Sequence, residues 1–162
     1  MVRPARTSDV ELIRRLVDFY SDSGHLLDKP TVTLYEDIQE FVVAEVDGEP
    51  VGCGALHVLW ADLAEVRTVA VDPACRHQGV GHAILETLLT RAHAVGVRRV
   101  FCLTFEIGFF GAHGFKPFTA TAVEPGVYEE LLRSYDEGVA EFLSLERVKP
   151  NILGNTRMLL DL

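Results

Sequence analysis

The sequence predicts an α+β fold, an α/β/α sandwich in which a mixed, mostly antiparallel sheet carries helices on both faces. Two observations predict it: three long strand patterns follow one another with only tight turns between them, and helix and strand patterns then alternate to the end of the chain. The 162 residues, 48% of them hydrophobic, suit one globular domain, which we predict to span residues 1–162.

The N-terminal part is predicted to form a short edge strand and two helices. V-R-P-A suits the edge strand, because proline is tolerated there. Apolar residues then recur at helical spacing, which predicts an amphipathic helix from Asp9 to about Ser21. After a loop broken by Gly24 and Pro30, the segment T-L-Y-E-D-I-Q-E-F predicts a second, short helix.

The next segment predicts a three-stranded meander. F-V-V-A-E-V and V-G-C-G-A-L-H-V-L flank an Asp-Gly turn, which is a strong hairpin signal. A second reversal at W-A-D-L leads into the third strand, A-E-V-R-T-V-A-V. Gly52 and Gly54 lie inside the second strand, where missing side chains indicate the close approach of a neighbouring element.

The second half alternates between helix and strand. Apolar spacing predicts a helix that follows R-H-Q-G-V-G and ends at Gly96, then a strand at V-R-R-V-F-C-L-T-F, a short helix ended by Gly114 and a strand beginning at F-K-P-F. The last 40 residues are less regular. They predict a helix interrupted near Ser134 or Gly138, a loop, and a closing strand at T-R-M-L-L.

Composition excludes several classes of function. The formal net charge of −9 argues against general binding to nucleic acids or anionic membranes, which requires a basic surface. The N-terminus has no apolar signal segment, and no apolar run reaches the roughly 18 residues of a membrane span. The cysteines, Cys53, Cys75 and Cys102, lack metal-ligand spacing and are expected to be reduced thiols. We therefore expect a cytoplasmic protein without a metal site.

The segment R-H-Q-G-V-G, residues 76–81, predicts an anion site. A strand that feeds directly into a helix leaves backbone N–H groups without acceptors, and the helix dipole favours negative charge there. Gly79 and Gly81 let a pyrophosphate approach these amides, and Arg76 adds a cation. The alternative is a helix start whose glycines serve packing alone. Neither G-x-G-x-x-G nor the P-loop motif occurs, so a dinucleotide fold or P-loop is not indicated.

Two motifs resemble one known family. V-A-V-D-P-A-C-R-H-Q-G-V-G-H-A-I-L resembles the acetyl-CoA-binding motif, R/Q-x-x-G-x-G/A, of the GNAT family of N-acetyltransferases, and F-F-G-A-H-G-F resembles its later aromatic-x-x-x-Gly-Phe element. The resemblance implies the GNAT fold, acetyltransferase activity and acetyl-CoA as co-substrate. It implies that one strand end pairs with pantetheine and that the following loop holds the pyrophosphate. The cofactor-binding residues so implied are Val69, Ala70, Val71, Arg76, His77, Gln78, Gly79, Val80, Gly81 and His82.

Acetyl transfer to an amine requires a base, a polarised thioester carbonyl and protonation of the leaving thiolate. Glu65 lies four residues before Val69 and matches the position of the glutamate base of the family. The alternative is a strand-end carboxylate paired with Arg67. The usual acid of the family is a tyrosine at the position of Phe110, which cannot donate a proton. Thr104 could instead hold a water that protonates the thiolate, or the thiolate could leave without an acid.

Nearly the whole chain resembles the acetyltransferase domain of N-acetylglutamate synthases. The matching segments include C-G-A-L-H-V-L, V-F-C-L-T-F and L-E-R-V-K-P-N-I-L-G-N-T-R-M-L-L. This implies acetylation of the α-amine of L-glutamate to N-acetylglutamate, the first step of arginine biosynthesis. The substrate-binding residues implied, with solvated surface charge as the alternative for each cation, are Lys29, Arg67, Asn155, Thr156 and Arg157, with Lys149 as a further candidate.

Two other functions stay open from the sequence. A GNAT enzyme could acetylate another small amine, such as glutamine or a peptide N-terminus. The phenylalanine at position 110 is also compatible with an acetyl-CoA-binding sensor without turnover, whereas the retained Glu65 argues against it. The irregular C-terminal third is a plausible surface for a homodimer.

Overall fold

The computed structural model describes residues 1–26, 28–118, 123–136, 139–140, 143 and 154–162. The five α-helices in this part are α1 Val10–Asp22, α2 Thr31–Glu36, α3 Val80–Ala94, α4 Ile107–Ala112 and α5 Pro125–Leu131. Short 3-10 turns cover Thr7–Asp9, Ile38–Glu40 and Pro73–Cys75. Among the described residues, no helix combines the length and the hydropathy that crossing a membrane requires.

The described strands form one mixed sheet in the order β1-β2-β3-β4-β5-β7-β6. The sequence predicts a mixed sheet but not this order. Their bounds are β1 Val2–Pro4, β2 Phe41–Val46, β3 Glu49–Trp60, β4 Leu63–Val71, β5 Arg99–Thr104, β6 Lys116–Pro117 and β7 Thr156–Asp161. β4 and β5 are parallel, whereas β1–β2, β2–β3, β5–β7 and β6–β7 are antiparallel. The closing strand β7 lies between β5 and β6, a position that its own sequence does not predict.

The chain divides into two compact units. The first contains Met1–His57 and Val66–Gly96, and the second contains Val58–Glu65 and Val97–Leu162. The first holds the N-terminal helices, the β2–β3 hairpin, the end of β4 and α3. The second holds the start of β4, the strands β5 to β7 and the helices α4 and α5.

In the first unit, helices cover both sides of the hairpin strand β3. A Cβ on Gly54 would lie 2.6 Å from Cγ2 of Ile84 in α3, so the glycine allows this helix to pack closely. Cys53 and Ala55 point to the opposite side of the strand. They belong to the core formed with α1 and α2. The predicted close approach at the glycines is confirmed, and α3 is the neighbour.

The second unit has its own core around Phe101 of β5. Phe101 and Leu63 are fully buried and pack with Leu131 of α5, and half-buried Leu103 and Leu159 border the cluster. The helix that the sequence predicts from Val127 onward is observed as α5. It ends before Ser134, which agrees with one of the two predicted interruptions. The other, Gly138, is outside the described residues.

Candidate active site

The end of β4 contains an unusual backbone. Thr68 is buried and has a φ of 57°, a left-handed conformation that β-branched residues rarely adopt. After it, half-buried Val69 and Val71 alternate with buried Ala70. The predicted pantetheine-pairing segment therefore begins directly after an irregularity in the strand, a place where sheets commonly redirect backbone groups. The sequence pattern does not reveal this feature.

The predicted anion site is built by the chain from Asp72 to the first turn of α3. The Asp72 carboxylate caps a 3-10 turn by accepting the Ala74 N–H at 3.0 Å, and Gln78 donates to the Ala74 carbonyl at 3.3 Å. His77 follows with a φ of 62°, and Gly79 with a φ of 79° starts α3. The left-handed conformations of His77 and Gly79 turn the chain sharply. The backbone N–H groups of the first turn of α3 therefore follow directly after the loop.

This segment fits a pyrophosphate group. α3 spans 15 residues, and its first N–H groups have no acceptor within the helix. Among the described residues, and apart from its chain neighbours, no atom lies within 4 Å of the position that a Cβ on Gly79 would take, so no described side chain packs against it there. His77, Gln78, Gly79 and His82 are all exposed. The alternative that Gly79 serves packing alone is not supported at this position.

Arg76 is held by a tyrosine of α1. Its Nη2 donates to the Tyr20 hydroxyl at 2.9 Å and its Nε at 3.3 Å, while the guanidinium carbon lies 5.4 Å from the centre of the Tyr20 ring. The same hydroxyl donates to the Val71 carbonyl at 2.6 Å. Arg76 itself is exposed. The cation that the sequence places beside the anion site is thus linked to the end of β4.

Arg67 contacts two carboxylates from the chain before β2. Its Nη2 lies 3.3 Å from Glu40 Oε2 and 3.9 Å from Asp37 Oδ2, and its side chain is 9% exposed. The other oxygen of Glu40 lies 2.7 Å from His57 Nδ1. Burial would raise the pKa of Glu40, but the hydrogen bond with His57 and the charge of Arg67 hold it below its ordinary value. The predicted substrate ligand Arg67 is therefore oriented by Glu40.

Lys29 lies in a loop that Arg14 of α1 anchors. Arg14 donates from Nη1 to the Lys29 carbonyl and from Nη2 to Asp28 Oδ1 at 2.7 Å. Burial would lower the pKa of Arg14, but hydrogen bonds with Asp18 and Asp28 raise it above its ordinary value. The Lys29 side chain is half-buried. Its backbone position is thus set by α1.

In the second unit, Glu65 lies on β4 in register with Phe101 of the parallel strand β5. Its residue exposure is only 4%. Burial, together with the nearby negative charge of Glu65, raises the pKa of the neighbouring Cys102 thiol. Cys102 therefore stays protonated at neutral pH, and the carboxylate lies in an environment with little water. A carboxylate can act as a general base when the proton of the substrate lies within its hydrogen-bonding reach.

Thr104 ends β5 opposite Thr156 of β7 and is 7% exposed. Its Oγ1 accepts the Glu106 N–H at 2.8 Å, which supports the turn into α4. This is a structural role in addition to the predicted catalytic one. Phe110 is buried and packs edge-on against Phe109 and Phe115, so the usual tyrosine position is filled by an aromatic cluster.

The predicted acceptor segment includes the start of β7. Asn155 precedes the strand, Thr156 begins it, and Arg157 is in register with Leu103 of β5. The Arg157 carbonyl accepts the Phe118 N–H at 3.0 Å. All three predicted residues are half-buried. The further candidate Lys149 lies outside the described residues.

Comparison with known proteins identifies the family. The Acetyltransferase (GNAT) family profile matches residues 11–115. An amino-acid acetyltransferase of Mycobacterium tuberculosis is 59% identical over 165 aligned positions, which cover 100% of this chain and 94% of that protein.

The chain belongs to the GNAT family of acetyltransferases.

Solved structures agree with this assignment. A crystal structure from Mycobacterium tuberculosis, in complex with CoA and a second ligand, NLQ, superimposes with a TM-score of 0.96 at 59% identity and covers 100% of this chain and 99% of that one. An N-acetylglutamate synthase from Neisseria gonorrhoeae, complexed with CoA and N-acetyl-glutamate, shares the fold with a TM-score of 0.79 at 24% identity. That match covers 100% of this chain and 35% of the synthase. The predicted family, fold class and acetyl-CoA co-substrate are confirmed.

Sequence reasoning missed two residues around the site of this GNAT protein. The sequence places Tyr20 on the apolar face of α1 and assigns no partner to its hydroxyl. A tyrosine hydroxyl that leaves water usually finds a polar partner, which here is the Val71 carbonyl. Glu40 was placed in the short second helix without a role. No local pattern marks its contacts with His57 and Arg67, because they join residues 17 and 27 positions away in the chain.

Proposed function

We propose that this protein transfers the acetyl group of acetyl-CoA to the α-amine of L-glutamate and so forms N-acetylglutamate. The observation that carries the proposal is the 59% identity, over the full chain, to a protein named amino-acid acetyltransferase. Such identity over the full length supports an amino-acid acceptor. The choice of L-glutamate as the acceptor rests on the resemblance of the acceptor segments to N-acetylglutamate synthases. The proposed place at the first step of arginine biosynthesis depends on the same resemblance.

In the proposed reaction, the cofactor segment holds the donor. The first-turn amides of α3 and Arg76 bind the pyrophosphate, and the backbone of β4 after Thr68 pairs with pantetheine. A backbone N–H of Val69 or Val71 would then polarise the thioester carbonyl. Because the protein holds the thioester beside the amine, a bimolecular reaction becomes effectively unimolecular. This positioning supplies a large part of the rate enhancement of acetyl transfer.

We propose Glu65 as the general base. It takes a proton from the substrate ammonium group, and the neutral amine nitrogen attacks the thioester carbonyl carbon. A C–N bond forms and the C–S bond breaks, so that the electron pair leaves on sulfur. The nitrogen loses its extra proton as the amide forms, and this proton replaces the one that reaches the thiolate through water. The low exposure of Glu65 and its match to the position of the glutamate base of the family support this assignment.

The final protonation requires a group other than the tyrosine that the resemblance to the family implies at position 110. Phe110 has no exchangeable proton and is enclosed by other phenylalanines. We propose that a water at Thr104 protonates the thiolate. The Thr104 hydroxyl accepts the Glu106 N–H, which fixes its oxygen and leaves its own proton to be donated elsewhere.

For the acceptor we propose Lys29, Arg67, Asn155, Thr156 and Arg157. Two carboxylates on L-glutamate require cations or N–H donors in the site. Arg67 already contacts Glu40 and Asp37 through Nη2, so these carboxylates orient its planar guanidinium. We propose Arg157 as the partner of a glutamate carboxylate, because the resemblance to N-acetylglutamate synthases implies this role for the segment from Asn155 to Arg157.

A panel of amino acids tests the acceptor directly. With a thiol-release assay at fixed acetyl-CoA, L-glutamate is expected to give the highest kcat/KM, because both of its carboxylates find partners. D-glutamate and α-ketoglutarate, which present the amine wrongly or lack it, serve as controls. Turnover with glutamine or a peptide N-terminus, but not with glutamate, would contradict the acceptor and leave the family intact. CoA binding without turnover of any amine would favour a sensor.

Replacing Arg157 by glutamine is expected to raise the KM for L-glutamate about 10- to 30-fold, the cost of losing a hydrogen bond between two charged groups. The KM for acetyl-CoA should be unchanged. Steady-state kinetics with each substrate varied in turn measure both constants. Arg133→Gln removes an equally charged but 79% exposed side chain of the same unit and is the matched control. An unchanged KM for glutamate would remove Arg157 from the site.

A further inference from the structure

The hydroxyl of Tyr20 donates a hydrogen bond to one partner and accepts hydrogen bonds from another. It donates to the Val71 carbonyl at 2.6 Å and accepts from Arg76 Nη2 at 2.9 Å. A phenol has one proton to give and lone pairs to receive, so a single group serves both partners. These two partners stand at the two ends of the segment that connects β4 to the anion site.

The arginines of this protein differ in the groups that contact their guanidinium. Arg3, Arg14 and Arg99 each bind carboxylates, which neutralise their charge. Arg76 is bound instead by a neutral phenol and by the face of its ring, at 5.4 Å. Within the described ranges, no carboxylate forms an ion pair with Arg76. A neutral partner restricts the rotamers of the Arg76 side chain without cancelling its charge. The guanidinium therefore keeps its positive charge for binding an anionic ligand.

Arg76 is exposed, and an exposed arginine normally loses much rotamer freedom when it binds a ligand. The hydrogen bonds and the ring contact with Tyr20 fix the guanidinium in advance and lower that cost. Tyr20 is itself held, because its ring packs edge-on against Phe19 and its helix is anchored by buried Ile13, Leu16 and Val17.

We propose that Tyr20 is a positioning residue of the acetyl-CoA site, which holds Arg76 ready for the pyrophosphate and ties it to the pantetheine-pairing end of β4. The proposal rests on the cofactor part of the proposed function. It does not depend on which amine is acetylated. Tyr20 is not a catalytic residue, because it acts through Arg76 and Val71.

The test is Tyr20→Phe, which keeps the ring and removes only the hydroxyl. We expect the KM for acetyl-CoA and the Kd for CoA to rise about 3- to 10-fold, with kcat changed less than twofold. The inhibition constant of pantetheine, which lacks the pyrophosphate and is affected only through Val71, should rise less than twofold. Tyr35→Phe is the matched control, since Tyr35 is 49% exposed on α2 in the same unit.

A double-mutant cycle with Arg76→Gln separates positioning from a general effect on the fold. If Tyr20 acts through Arg76, adding Tyr20→Phe to Arg76→Gln should weaken CoA binding by less than twofold more. Equal losses for CoA and pantetheine, fully additive effects, or no loss of CoA affinity would overturn the proposal. Absence of CoA binding to the wild-type protein would instead contradict the proposed function, so the two failures are distinguishable.

Discussion

Glu65→Gln is expected to lower kcat about 100- to 1,000-fold, because glutamine keeps the shape and burial of the side chain but cannot accept the proton of the substrate ammonium group. The Kd for CoA should change less than twofold, since the residues proposed to bind the cofactor begin four positions later in the chain. Thiol release measures kcat, and calorimetric titration with CoA measures the Kd.

The control for this variant is Glu86→Gln, which makes the same change at an exposed position of α3. It should leave both constants within twofold of the wild type. If Glu65→Gln retains more than a tenth of the wild-type kcat while glutamate is saturating, the base has been assigned to the wrong residue. If it loses CoA affinity in parallel with kcat, Glu65 has a structural role and its burial does not reflect catalysis.

The local elements were predictable because their signals lie within a few residues of one another. The Asp-Gly pair has φ angles of 52° at Asp47 and 84° at Gly48, as a tight hairpin turn between β2 and β3 requires. The helix at residues 80–94 follows from its apolar spacing, and Gly79 at its start follows from the change between a strand pattern and a helix pattern. Each of these features depends on neighbours in sequence.

The features that were not predictable depend on distant parts of the chain. The insertion of β7 between β5 and β6 pairs Arg99 with Asp161, a choice that no local pattern encodes. The left-handed backbone at Thr68 contradicts the preference of its own side chain and requires the surrounding sheet to hold it. For the site, motif spacing predicts the cofactor segment and Glu65, and both assignments stay predictions. The groups that position Arg67 and Arg76, namely Glu40 and Tyr20, became visible only in the structure.

A partly buried ion-pair network at the start of α1 is centred on the carboxylate of Asp9. Asp9 accepts from Nη1 of Arg3 at 2.8 Å, from Nη2 at 3.0 Å and from the Arg6 N–H at 2.7 Å. Arg3 also binds Glu45 of β2 at 2.6 Å. The hydrogen bonds from Arg3 outweigh the effect of burial and, with that from Arg6, lower the pKa of Asp9 below its ordinary value.

Asp9→Asn is expected to lower the free energy of unfolding at pH 7 by about 3 kcal/mol, because it leaves the largely buried Arg3 without its main counter-charge. The pKa of Asp9 is lower in the folded protein than in the unfolded chain, so its contribution is complete above the unfolded pKa of about 3.9. That contribution is lost as the pH falls through the folded pKa. The stability difference between wild type and Asp9→Asn should therefore shrink below about pH 4.

Urea unfolding at a series of pH values between 7 and 3 measures this difference. The exposed Asp22 at the end of the same helix gives the control, Asp22→Asn, which should change the stability by less than about 0.5 kcal/mol. A deficit in Asp9→Asn that stays constant down to pH 3 would show that shape and packing at this position, and not the ionised carboxylate, stabilise the start of α1. A deficit that shrinks with pH assigns the stabilisation to the charge that Arg3 and Arg6 surround.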